Sequence, residues 1–364
     1  MSVILRRRTA AVFLSVLATV ALSGISAPAS AAPSAPATDV SAAAIKRYVA
    51  LGDSYTAGPL IPLPRLDPIG CLKSTSNYPA YLSWKLGLWS YTDASCSGAQ
   101  TVHMTTPQSV PLGTNRPQLD RLTPDTDLVT LGIGGNDFGT FGKLVDTCPE
   151  LRDTNPTGSP CRDHYTVDGV DTITANFPAI GDRIAAVINE IKRRSPQARI
   201  LVVGYPRLLP PEGTCPDVIP FADGDYRWAD SVEQGLNQAI REAAERTGAE
   251  YVDTYGPSLG HDACAGDEAW INGKNHNLLA AASYHPFASY MAAAASLIYD
   301  QLRGVPPDAE RAAAAARAAR AELQAALATR AVSAQDIPVQ GRRAAAALGL
   351  VHGGTETAGI CPVR

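Results

Sequence analysis

Short apolar runs bounded by turn residues alternate along this chain with longer helical patterns, and that alternation limits the fold more than any other feature. Runs over 48–51, 89–94, 128–133, 199–203 and 250–252 have the length and flanks of buried strands. Helical patterns occupy 78–86, 177–194, 228–246 and 286–302, and the second places Ile180, Ile184, Val187, Ile188 and Ile191 on one face. Repeated strand and helix mean a parallel sheet covered on both sides. One α/β domain over 45–303 accounts for all of these segments. The connections over 137–175 and 205–227 are long for such a fold. They are rich in Pro, Gly and Asp and carry cysteines, as expected of disulfide-pinned surface loops near a site.

The remaining residues flank that domain. Arg6, Arg7 and Arg8 precede an apolar run from Thr9 to about Ile25, and Ala29, Ser30 and Ala31 supply a small-residue cleavage pattern. Residues 1–31 therefore read as a secretion signal. The run is shorter than the roughly 20 apolar residues of a membrane span, and Ala, Pro and Ser follow it rather than a positive cluster. The expected mature protein is secreted, with no transmembrane segment left after cleavage. Residues 32–44 form a low-complexity linker. Residues 304–364 are an Ala/Arg-rich extension with few large apolar side chains, Leu323, Leu327, Ile337, Leu348, Leu350 and Val351 among them. Propensity favours helix over 308–328, with little to dock it, so a semi-detached appendage is expected.

Export changes the meaning of the seven cysteines, because an oxidising compartment favours disulfides. No CxxC occurs, so a structural zinc site has no local signature. Cys71, Cys96, Cys148, Cys161, Cys215 and Cys264 lie in the body of the chain and Cys361 at its end. Spacing alone leaves their pairing open, the sequential scheme being the simplest. A net charge of −4 gives no basic surface for nucleic acid. GxxxxGK[ST] and GxSxG are absent, which sets aside a P-loop nucleotidase and the nucleophile elbow of α/β-hydrolases. A monomer without cofactor or catalytic metal is expected.

The first strand runs into Gly52-Asp53-Ser54-Tyr55-Thr56-Ala57-Gly58. Serine there stands where open α/β sheets place ligands. Ser97-Gly98-Ala99-Gln100-Thr101 follows the second strand and Gly134-Gly135-Asn136-Asp137 the third, so three small-residue turns converge on one sheet edge. Tyr284-His285-Pro286 opens the last helix. A serine hydroxyl becomes nucleophilic when an imidazole takes its proton, and histidine has the pKa for that transfer. The charge that develops on the carbonyl oxygen needs fixed donors, which the N–H groups of Ser54 and Gly98 and the amide of Asn136 can supply.

These four segments, in this order, resemble the four blocks of the SGNH or GDSL hydrolase superfamily, and the early cysteines resemble its secreted actinobacterial lipase and esterase branch. The resemblance covers about 45–303. It implies a flavodoxin-like three-layer α/β/α fold with a five-stranded parallel sheet, and ester hydrolysis with Ser54 as nucleophile, His285 as base, and Gly98 and Asn136 in the oxyanion hole with Ser54. It also favours the sequential disulfides Cys71–Cys96, Cys148–Cys161 and Cys215–Cys264. The chain departs from the family at the acid, which usually sits three residues before the histidine, where this chain has Ala282. A backbone carbonyl of Ala282 or Ser283 is the favoured acceptor for the second ring nitrogen, and Asp262 or Asp267 is the rival. His261 and His276 lie in a loop where surface histidines are common.

The leading expectation is a secreted carboxylic-ester hydrolase of acyl esters or lipids, of the lipase, esterase or phospholipase A type. A carbohydrate acetyl esterase with the same site is the alternative. A catalytically silent envelope-binding protein is the alternative of another class, and it has no need of all four blocks.

Overall fold

The computed structural model describes residues 45–330. The expected signal peptide, the linker, Cys361 and the outer part of the extension lie outside the described residues. The central sheet has β1 (Tyr48–Gly52), β2 (Thr92–Asp93), β3 (Leu128–Gly132), β4 (Arg199–Val203) and β5 (Glu250–Val252) in the order β2-β1-β3-β4-β5. Every pairing is parallel, with Val49 opposite Thr92 and Tyr48 opposite Leu128. β1 and β3 are buried at every position, as a sheet covered on both faces requires.

The helices that flank the sheet are α2 (Tyr78–Lys85), α3 (Phe177–Arg194), α4 (Asp225–Thr247) and α5 (Ala288–Leu302), and α1 (Ser54–Ala57) is a single turn after β1. The strand order reverses at β1. Right-handed crossovers then put α3 and α4 on one face and α2 on the other, where it packs against α5. The five expected isoleucine and valine positions of α3 are all buried, each contributing roughly 1.5 to 3 kcal/mol of apolar burial. The three disulfides join Cys71–Cys96, Cys148–Cys161 and Cys215–Cys264.

Two differences from the sequence reading have physical causes. The second strand is only Thr92–Asp93, because Gly87 adopts a left-handed turn after α2 and Trp89 lies wholly in solvent. A short edge strand also gives other chains little to pair with. The extension forms α6 (Ala309–Arg330), which docks on α5 through buried Ala312, Ala313, Ala316 and Ala319. Methyl side chains let two helices approach closely and lose almost no rotamer entropy on burial. Arg311 pairs with Asp300 of α5 at 3.1 Å, and Arg320 donates to the Ala269 carbonyl at 2.7 Å. Among the described residues no helix is long and apolar enough to cross a membrane.

Candidate active site

β1 ends at Gly52, whose amide is gripped by Gln118: Gly52 N donates to Oε1 at 2.8 Å and Nε2 donates to Gly52 O at 2.9 Å. A β-carbon on Gly52 would lie 2.1 Å from Thr56 Oγ1 and 2.7 Å from the Gly132 carbonyl. Asp53 then caps α1, accepting the Tyr55 N–H at 2.9 Å, and Ser54 becomes the first helical residue. The other Asp53 oxygen accepts the Tyr205 hydroxyl at 2.5 Å, and that hydroxyl accepts the Gly135 N–H at 2.8 Å. Tyr205 thereby ties the serine turn to the asparagine turn. Burial pushes the Asp53 carboxyl up to about 7, against the lowering effect of the Tyr205 and Tyr55 bonds.

The second and third turns are joined directly. Asn136 Nδ2 donates to the Ala99 carbonyl at 3.0 Å, which leaves its second amide hydrogen for another acceptor. Buried Asp137 accepts Thr101 N at 2.8 Å, Thr101 Oγ1 at 2.5 Å and Arg183 Nη1 at 3.1 Å. Gly98 is exposed with φ +73°, and a β-carbon there would meet only Gln108 Nε2, at 3.8 Å. The backbone angle rather than a neighbour calls for glycine at this position.

The fourth segment arrives from the far end of the domain. His285 packs beside Tyr55 and Phe141, with ring centroids 5.6 Å and 6.0 Å away. Its Nδ1 lies 2.6 Å from the Ser283 carbonyl. A carbonyl only accepts, so Nδ1 carries the hydrogen and a neutral ring keeps Nε2 as acceptor. Burial holds the imidazole down to about 4, with the Ser283 carbonyl pulling the other way and His276 adding to the lowering. The partner of Nδ1 is thus the carbonyl rather than either rival acid. Asp262 caps the Cys264 N–H at 2.9 Å, and Asp267 lies in the short turn Gly266–Glu268. His261 stacks flat on Trp270 with centroids 4.2 Å apart.

Residues 282–285 form a tight turn closed by His285 N donating to Ala282 O at 3.2 Å, with Tyr284 left-handed at φ +57°. Glycine or asparagine usually fills that third position. A non-glycine residue there costs about 1 to 3 kcal/mol and persists only where its surroundings hold it.

An apolar cleft opens from Ser54 and Asn136 and is walled by Phe141, Leu144, Tyr205, Val232 and Leu236. Two walls come from the long connections that follow β3 and β4; the third is one face of α4. Glu233 lines it too, its carboxyl on the Leu208 N–H and pushed well up, chiefly by burial. Sequence reasoning missed Gln118 and Tyr205. Only a position at a strand's C-terminal end could have flagged Tyr205.

A doubly wound parallel sheet with a serine, a glycine, an asparagine and a histidine turn at its C-terminal edge is the architecture of the SGNH class of hydrolases. The chain belongs to the GDSL-like lipase/acylhydrolase family, whose model matches residues 50–293. Lipase 2 of Streptomyces coelicolor is 40% identical over 274 residues, which cover 73% of this chain and 87% of that protein. The crystal structure of phospholipase A1 from Streptomyces albidoflavus aligns with a TM-score of 0.57 at 28% identity, over 71% of this chain and 98% of that one. The extracellular lipase of Streptomyces rimosus aligns with a TM-score of 0.55 at 26% identity, over 68% and 95%.

Proposed function

We propose that this protein is a secreted, monomeric carboxylic-ester hydrolase of the lipase and esterase type, acting on acyl esters through Ser54 and His285 without a cofactor. The observation that carries the reading is the bond from His285 Nδ1 to Ser283 O, which leaves Nε2 as the base. In the reaction Ser54 Oγ attacks the ester carbonyl carbon while Nε2 takes its proton. The resulting oxyanion is met by the Ser54 and Gly98 N–H groups and by Asn136 Nδ2, donors already fixed by the turns. Collapse of the intermediate expels the alcohol, which takes the proton from His285. Water, deprotonated by the same imidazole, then attacks the acyl-serine carbonyl, and the acid is released as Ser54 Oγ leaves and takes that proton back from His285. The apolar cleft suits an acyl chain. Secretion is supported by the N-terminal leader pattern and by the three disulfides.

The test is turnover of p-nitrophenyl esters of increasing chain length against acetylated sugars. Ser54→Ala should abolish hydrolysis with the circular dichroism spectrum intact. More than a few per cent residual turnover would place the nucleophile elsewhere, and activity confined to acetylated sugars would replace the lipase reading with the carbohydrate esterase.

A further inference from the structure

The turn that orients His285 is held by groups from outside it, and their arrangement goes beyond the carbonyl contact itself. Each backbone N–H from 282 to 285 is taken: Ala282 N by Pro59 O at 3.0 Å, Ser283 N by His276 Nδ1 at 2.9 Å, Tyr284 N by Gly273 O at 2.9 Å, and His285 N within the turn. The Tyr284 carbonyl accepts the buried Tyr55 hydroxyl at 2.8 Å. The peptide between Ser283 and Tyr284 is thus fixed on one side by His276 and on the other by Tyr55, the residue next to Ser54. That peptide's carbonyl is the one on His285 Nδ1.

We propose that Tyr55 and His276 are positioning residues that together replace the missing acid: they hold Tyr284 left-handed and so keep the Ser283 carbonyl on the imidazole. An acid would fix the ring with its own side chain. Here a main-chain carbonyl does so, and a main-chain group needs its backbone anchored. Pro59 and Tyr55 both belong to the segment that leaves β1, so the serine turn and the histidine turn are set relative to each other by the same two bonds. His276 contributes from the opposite side as an acceptor, through a ring nitrogen that Asn Oδ1 can mimic in place and a methyl group cannot.

The inference rests on the reading of His285 as the base, and the experiment separates the two. Tyr55→Phe, His276→Ala, His276→Asn and His285→Ala are compared for kcat and KM on one soluble ester. Proton NMR follows the downfield resonance of the His285 Nδ1–H, assigned by its loss in His285→Ala. Tyr55→Phe and His276→Ala should each lower kcat about ten- to a hundredfold with KM within about twofold, and should shift or broaden the Nδ1–H resonance. His276→Asn should restore both. An unchanged resonance and a kcat within twofold of wild type in Tyr55→Phe and His276→Ala overturn the proposal, as does failure of His276→Asn to restore either. Full turnover by His285→Ala overturns the reading of the base itself.

Discussion

Asp53 and His285 are pushed in opposite directions by the same burial, and both effects fall in one pH window. The imidazole, lowered from 6.5 to about 4, binds fewer protons folded than unfolded between those values, so its contribution to stability is lost as pH falls. The carboxyl, raised from 3.8 to about 7, binds more protons folded than unfolded, so its contribution is lost as pH rises. The two offset each other between about pH 4 and 6.5. Replacing His285 by Gln leaves the carboxyl alone, so the difference in melting temperature between variant and wild type should grow in the variant's favour on acidification. A difference that is flat with pH would contradict this. Catalysis follows only the base: the acid limb of kcat/KM should lie near pH 4 rather than at the usual histidine value. Asp262→Asn and Asp267→Asn should keep most activity, since the Ser283 carbonyl already takes Nδ1; a loss beyond a thousandfold in either would restore a triad.

At the scale of elements, what could be read from the sequence was what repeats. α3 runs over the expected residues because five large aliphatic side chains at helical spacing admit one face, and β1, β3 and β4 are apolar runs with turns at both ends. Three of the site turns are legible as clusters of small residues after strands, and the histidine segment as an imidazole at the start of the last helix. What holds them is not. Gln118 and Tyr205 act across 66 and 152 residues of chain; nothing local marks Gln118, and only its place just after β4 marks Tyr205. α6 docks although it buries little area, because its alanines permit a close approach to α5 that no large side chain would. Ending the chain after Gly304 should therefore cost roughly 2 to 4 kcal/mol of apolar burial, read from denaturant unfolding; an unchanged midpoint would return the helix to the status of an appendage. The same truncation removes Arg320 from Ala269, next to the segment Trp270–Asn272 that bonds to Phe287 and His285.

Across the whole molecule the crosslinks are gathered at one edge. Cys71–Cys96 ties the connection after β1 to the end of β2, Cys148–Cys161 closes the connection after β3, and Cys215–Cys264 joins those after β4 and β5. All lie in connections that follow the C-terminal ends of the strands. Each contributes typically about 2 to 4 kcal/mol by restricting the unfolded chain. Reduction should therefore loosen the site before the sheet: with denaturant, turnover of the reduced, alkylated protein should fall while far-ultraviolet circular dichroism still reports the native sheet. Coincident loss of both would show a single cooperative unit. The four tryptophans already divide along this line. Trp84 and Trp89 stand in solvent on α2 and the segment leading into β2, whereas Trp270 is buried under His261 and Trp228 bonds to Asp171 beside Tyr165. A soluble collisional quencher will silence the first pair first, reach half-buried Trp228 next and spare Trp270, so the light that survives strong quenching comes from Trp270, whose carbonyl takes the Phe287 N–H, and its spectrum follows that region alone as the protein opens.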